Sequence, residues 1–184
     1  MKFLRALAFG VLGLVLPLTA YADTIKIGLM CPLTGGWASE GQDMRQIVNL
    51  LADEVNKAGG INGKQLEIVV EDDGGDPRTA ALAAQELVTS EVVAVIGTYG
   101  SAVTEAAQDI LDESEVMQIA TGSTSVRLTA KGMPYFFRTC PRDDEQGRVA
   151  ARIIKDLGVK KVAILHDNSS YVKGLAEESE AVMK

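Results

Sequence analysis

The run VVAVIGTYGSAVTEAAQDIL, Val92 to Leu111, narrows the folds open to this chain more than any other stretch. Val92 to Ile96 is a short, unbroken apolar run rich in β-branched residues, which suits a parallel strand covered by helices on both faces. Gly97 and Gly100 let the backbone turn tightly, and Ser101 then stands where the first N–H groups of a helix lack partners. Such a helix start favours an anion. A carboxylate placed there would meet backbone donors, the Ser101 hydroxyl and the positive end of the helix dipole together. The same residues also serve any turn and helix cap, so taken alone the stretch speaks for an α/β fold more strongly than for a ligand.

Residues 1–22 read as a secretory signal: Lys2 and Arg5, an apolar run from Leu7 to Leu18, then Ala20-Tyr21-Ala22 as a small-residue cleavage site. Cleavage after Ala22 would deliver a mature chain beginning at Asp23 to the periplasm. The apolar run is short for a membrane span, and no later segment approaches about 20 apolar residues. Losing Lys2 and Arg5 takes the formal net charge from −7 to −9. So acidic a chain argues against nucleic acid and anionic lipid as partners, since both need a basic face. The only histidine, His166, has no Cys or His partner at ligand spacing, so neither a metal nor another cofactor is expected. Cys31 and Cys140 each precede a proline at a predicted strand end, and no disulfide between them is expected although export would permit one.

From Thr24 onward strand and helix alternate. Thr24 to Met30 predicts the first strand, and Gln42 to Lys57 a helix with Met44, Ile47, Val48, Leu51 and Val55 on one face. Leu66 to Glu71 predicts the second strand, followed by a helix with Asp76 as N-cap and Pro77 in its first position. Asp72, Asp73 and Asp76 lack calcium-loop spacing and read as a solvated strand end plus that cap. Met117 to Ala120 predicts a fourth strand, and TGSTS follows at Thr121 to Ser125. In an open parallel sheet, ligands gather beyond the carboxyl ends of the strands near a change in strand order. Three loops therefore converge on one edge: the first loop with Trp37, the turn holding Tyr99, Gly100 and Ser101, and Gly122-Ser123-Thr124. Taken alone, TGSTS reads better as a polar turn than as a ligand contact.

Tyr135 to Arg138 reads as extended, Asp144 to Leu157 as a helix, Lys161 to His166 as a strand, and Tyr171 onward as a helix. One strand between two helices cannot build its own sheet, so this tail either extends the first sheet or opens a second unit. The division expected is a signal at 1–22, a first α/β lobe at 23–140, and a hinge with the beginning of a truncated second α/β lobe at 141–184.

The runs IKIGLMCPLTGGWASEGQDM, NKAGGINGKQLEIVVEDDGGDP, VIGTYGS, TGSTSVRLT, FFRTCPRDDEQG and ILHDNSSYVKGLA, in this order, resemble the N-terminal part of the periplasmic substrate-binding proteins of the branched-chain amino acid type. Those proteins feed ABC importers. The resemblance implies a type I periplasmic-binding-protein lobe, a parallel sheet with helices on both faces, joined by a hinge to a second lobe with ligand held in the cleft. Carried over by position, it implies a ligand carboxylate at Ser101 and Thr124, further contacts from Gly122 and Ser123, and Tyr171 reaching over from the second lobe. A small-molecule ligand such as an amino acid, an ABC permease partner and a monomeric state when complete are implied with it.

Three departures bear on these expectations. Glu40 precedes Gly41 where leucine-type members carry an aromatic, and the tryptophan stands earlier, at Trp37, which opens amides, urea and aromatic acids as ligands. Two cysteines that join neighbouring loops in leucine-type members fall here on Gly75 and Gly100. Family members are also much longer, and the acidic residue that pairs with a ligand ammonium lies in their later part. A fragment is therefore expected, with an incompletely covered, weakly stable first lobe. An exported lobe that presents a small amide, urea or aromatic acid to a receptor would use the same residues. An enzyme would have to use His166-Asp167 near Ser101 or Ser123, but adjacent side chains on a strand diverge and neither serine sits in a GxSxG turn.

Overall fold

The computed structural model describes residues 24–184; the signal expected at residues 1–22 lies outside the described residues. Five strands form one parallel sheet in the order β2-β1-β3-β4-β5. They are β1 (Ile25–Cys31), β2 (Leu66–Asp72), β3 (Ala94–Ile96), β4 (Met117–Ala120) and β5 (Phe136–Arg138). Ile27 of β1 sits between Ile68 and Ala94, and Leu29, Met30 and Cys31 are fully buried. Continuous apolar runs thus occupy the strands that are covered on both faces.

Helices α1 (Ala38–Lys57), α2 (Pro77–Thr89) and α3 (Ser101–Glu113) fill the crossovers and lie on both sides of the sheet. The principal core forms where Ala83, Ala84 and Leu87 of α2 and Ala107 and Leu111 of α3 meet Met30 and Val95. Burying each large aliphatic side chain there contributes about 1.5–3 kcal/mol. Asp76 caps α2 by accepting from the Arg78 and Thr79 N–H groups at 2.9 and 3.2 Å, with Pro77 in the first position.

Three elements differ from their sequence expectations. Helix α1 begins at Ala38 rather than Gln42, fed by a 3-10 turn at Gly35–Trp37, because Gly41 presses its first turn against the Pro32 carbonyl where any Cβ would collide. Its apolar face is only half used: Ala52 is buried, but Ile47 and Leu51 are 55% and 54% exposed. The helix rests mainly on β1 and β2, so the stripe turned toward β3 and β4 meets solvent. A short helix not foreseen from sequence, α4 (Val126–Ala130), seats Leu128 against Ala120 and Phe136.

The strand expected at Lys161 to His166 does not form. Residues 159–169 are exposed and pair with no strand among the described residues, and a strand without a neighbour has no ladder of hydrogen bonds to hold it. The flanking helices α5 (Asp143–Asp156) and α6 (Ser170–Met183) pack on each other instead.

Candidate ligand site at the carboxyl ends of the strands

The strand order reverses at β1, with β2 on one side and β3 on the other. The turn carrying Trp37 and the turn Gly97–Gly100 leave the sheet at this point, where a parallel sheet opens a crevice. Gly100 is the N-cap of α3 and Ser101 its first residue. The Ser101 Oγ accepts the Ser125 N–H at 3.2 Å, which leaves its own proton for another acceptor. This bond brings the helix start and the TGSTS loop together. The N–H groups of Gly122, Ser123 and Thr124 meet no acceptor among the described residues, so these donors stand beside the positive end of α3.

The side chains expected to serve the site do not all face it. Ser123 is fully buried, and its hydroxyl meets Thr104 Oγ1 at 2.5 Å and donates to the Tyr99 carbonyl at 3.2 Å. Thr104 in turn meets the Thr98 hydroxyl, so three neutral hydroxyls run beneath the loop. Ser123 therefore braces the floor with its side chain, while its buried N–H is left unpaired among the described residues. Thr104 was not singled out from sequence, although Ser101, Thr104 and Gln108 put polar groups at helical spacing on the buried side of α3.

Thr124 Oγ1 is buried and completes no hydrogen bond, and neither does Oδ2 of the fully buried Asp143. Asp143 donates its N–H to the Thr124 carbonyl at 3.0 Å, and its Oδ1 accepts from Gln146 at 3.0 Å. Burial pushes the Asp143 carboxyl above the usual range, while the nearby Thr124 hydroxyl and Arg138 restrain the rise. Tyr171, in the first turn of α6, comes near enough to Asp143 and Tyr99 that both add to the upward push of burial on its phenol. The rings of Trp37 and Tyr99 meet edge to face with centroids 5.7 Å apart.

The sequence marks Arg138 only as the end of an extended run and predicts no role for it. Its guanidinium lies under the loop, where Nη1 donates to the Ser123 and Ser125 carbonyls at 3.0 and 2.9 Å and Nη2 to Thr129 Oγ1 at 2.5 Å. A cation ending an apolar strand is the one signal that could have marked it.

The acidic turn divides in two. Asp72 accepts from Leu33 N–H, the Thr34 hydroxyl and Gly74 N–H at 2.8, 2.7 and 2.8 Å, joining the first and second loops. Burial raises its pKa, but the Thr34 hydroxyl and these N–H groups outweigh that and hold it below the usual range. Asp73, which the sequence predicts to be solvated, is instead 1% exposed, with Oδ1 accepting Gly75 N–H at 2.8 Å and Oδ2 unpartnered. Burial pushes its pKa up to about 6 against the Gly75 bond, and Asp72 adds to the rise.

An acid raised in the fold stabilises it fully below the unfolded value, about 4, and loses that contribution as pH climbs through the folded one. Asp73→Asn is expected to remove this loss, so that its melting temperature relative to the unaltered protein is higher at pH 7.5 than at pH 4. Thermal melts across that range check it; a difference independent of pH would mean that Asp73 titrates normally.

His166 and Asp167 serve the approach to α6, where His166 Nδ1 accepts Asn168 N–H at 3.1 Å and Asp167 Oδ1 accepts Ser169 N–H at 2.9 Å. Both cysteines are free. Burial first, then Asp73 and Asp72, push the Cys31 thiol up to about 11, while Cys140 Sγ lies 3.4 Å from the Ser123 carbonyl. Among the described residues no group of side chains could hold a metal ion, and no helix is long and apolar enough to cross a membrane.

A family model described as periplasmic binding protein matches residues 24–184. The Leu/Ile/Val-binding protein homolog 3 of Brucella melitensis is 37% identical over 165 residues, which make up 89% of this chain and 45% of that protein. The branched-chain amino acid transporter substrate-binding protein LivJ of Streptococcus pneumoniae, solved with isoleucine, matches with a TM-score of 0.83 at 36% identity, covering 88% of this chain and 47% of that one. An ABC-transporter solute-binding protein of Rhodopseudomonas palustris, solved with 3,4-dihydroxybenzoic acid, matches with a TM-score of 0.74 at 26% identity, covering 87% and 42%. The chain spans less than half the length of each of these relatives. Its parallel sheet with helices on both sides is that of a type I lobe. On the strand order, the switch-point turns and these matches together, the chain belongs to the periplasmic binding protein family.

Proposed function

We propose that this chain is the ligand-recognising part of an extracytoplasmic solute-binding component of an ABC importer, taking a small carboxylate, most simply a branched-chain or related amino acid. The observation that carries the reading is the convergence of the α3 start with the unpaired N–H groups of Gly122, Ser123 and Thr124, next to the Ser101 hydroxyl. Neutral donors and a helix dipole suit a carboxylate without any cation in the site. Residues 23–140 form the first lobe in this reading, and 141–184 the hinge and beginning of the second. Ligand seated on the first lobe and touched by Tyr171 favours a closed form by no more than its extra affinity for that form. Export through residues 1–22 to the periplasm, a membrane permease partner and a monomeric state complete the proposal.

Ser101→Ala is expected to weaken binding by about 1–3 kcal/mol, the loss of one hydrogen bond to a charged group. Ligand-induced thermal shifts with L-leucine, L-isoleucine and L-valine measure it. An unchanged affinity would put the carboxylate elsewhere.

A second reading, an aromatic acid as ligand, is favoured by the three partly exposed rings of Trp37, Tyr99 and Tyr171 around the same donors. In that case 3,4-dihydroxybenzoate shifts the melting temperature and the amino acids do not.

A further inference from the structure

Trp37 is the only tryptophan in the chain, and its indole lies in a slot made by two glycines on separate loops. A Cβ built on Gly75, in the turn between β2 and α2, would lie 3.0 Å from indole Cε3. One built on Gly100, at the start of α3, would lie 2.7 Å from Cζ3 and 3.1 Å from Cη2. The edge of the indole then meets Tyr99, and Tyr99 closes on Gly122, where a Cβ would lie 2.8 Å from ring atom Cδ2. The contacts run without a gap from the β2–α2 turn through Trp37 to both halves of the carboxylate site.

We infer that Trp37 is a positioning residue, a wedge that sets the start of α3 and, through Tyr99, the Gly122 loop, with Gly75 and Gly100 as the small positions that admit it. The four bonds that Asp72 accepts from the first loop and the 74–75 turn hold the other side of the slot. Tight packing transmits a displacement rather than absorbing it. Moving the indole therefore moves the donors. At φ −92 Gly100 has a backbone that any residue can adopt, so alanine there meets only the indole and the nearby Val103 side chain. Gly75, at φ +67, would add backbone strain and makes a poorer probe.

The test compares the full chain with Gly100→Ala, Trp37→Ala and the double variant. Gly100→Ala is expected to shift Trp37 emission to the red, raise its quenching by acrylamide and lower the melting temperature. Made on top of Trp37→Ala, the same substitution should cost nothing further, as for two residues that act through one contact. A Gly100→Ala chain that fails to fold while the double variant folds gives the same answer. Equal losses in both backgrounds, or failure of both to fold, would overturn the wedge.

The ligand arm rests on the carboxylate-site reading and uses L-isoleucine and 3,4-dihydroxybenzoate as probes. Whichever binds should bind Gly100→Ala about tenfold more weakly, a change of one decade in Kd, while Trp37→Phe largely restores affinity relative to Trp37→Ala. Full affinity in Gly100→Ala would reduce Trp37 to a packing residue and overturn its positioning role. An unaltered chain blind to both probes would count against the carboxylate reading alone, because emission and melting still report the wedge.

Discussion

Replacing Gly97 with alanine is expected to destabilise the protein by more than about 3 kcal/mol, through backbone strain compounded by a collision that cannot relax. Gly97 directly follows β3 at φ +114, and a Cβ there would run into the Met30 carbonyl of β1. Its N–H is also fixed, donating to the Ile119 carbonyl of β4 at 3.0 Å. Strands on both sides thus hold the one residue that starts the turn to the site. For a chain of this size the loss corresponds to a fall in melting temperature of at least roughly 6–12 °C. A thermal melt checks it; a variant within about 2 °C of the unaltered protein would mean that the carbonyl moves aside freely.

Arg138→Met is expected to lose about 2–4 kcal/mol in chemical denaturation, since hydrogen bonds from a charged donor are worth more than neutral ones and the freed carbonyls stay partly buried. Methionine keeps much of the volume and removes every donor. The loop above should lose its shape as well, because Arg138 holds the Ser123 and Ser125 carbonyls from below while the Ser125 N–H engages Ser101 from above. Ligand affinity should therefore fall along with stability. A midpoint equal to that of the unaltered protein would assign the guanidinium to solvent.

The sheet was legible in the sequence because its strands are short, mostly apolar runs set between helical patterns, as at Met117 to Ala120, where expectation and structure coincide. The site was legible as a neighbourhood, since strand ends and small polar residues can be read from order alone. Side-chain direction could not be read that way. Ser123 reads as a ligand contact and turns inward, because Thr104 from the next turn of α3 meets it, a pairing across 19 positions that no local pattern reveals. Asp73 reads as solvated, yet the same turn that exposes Asp76 buries it. The strand read at Lys161 to His166 shows the limit of composition, since a strand exists only with a neighbour.

The hydroxyl floor under the loop has a consequence in proton order. Thr98, Thr104 and Ser123 bring three donor protons to five contacts: Gly100 carbonyl to Thr98, Thr98 to Thr104, Thr104 to Ser123, and Ser123 to the Tyr99 and Thr98 carbonyls. Two of these contacts are always without a proton, since each hydroxyl supplies a single one. The vacancies can pass along the row by rotation of hydroxyls alone, with no heavy atom displaced. The floor is thus rigid in shape and free in polarity, able to turn its dipoles toward whatever charge settles above Ser123.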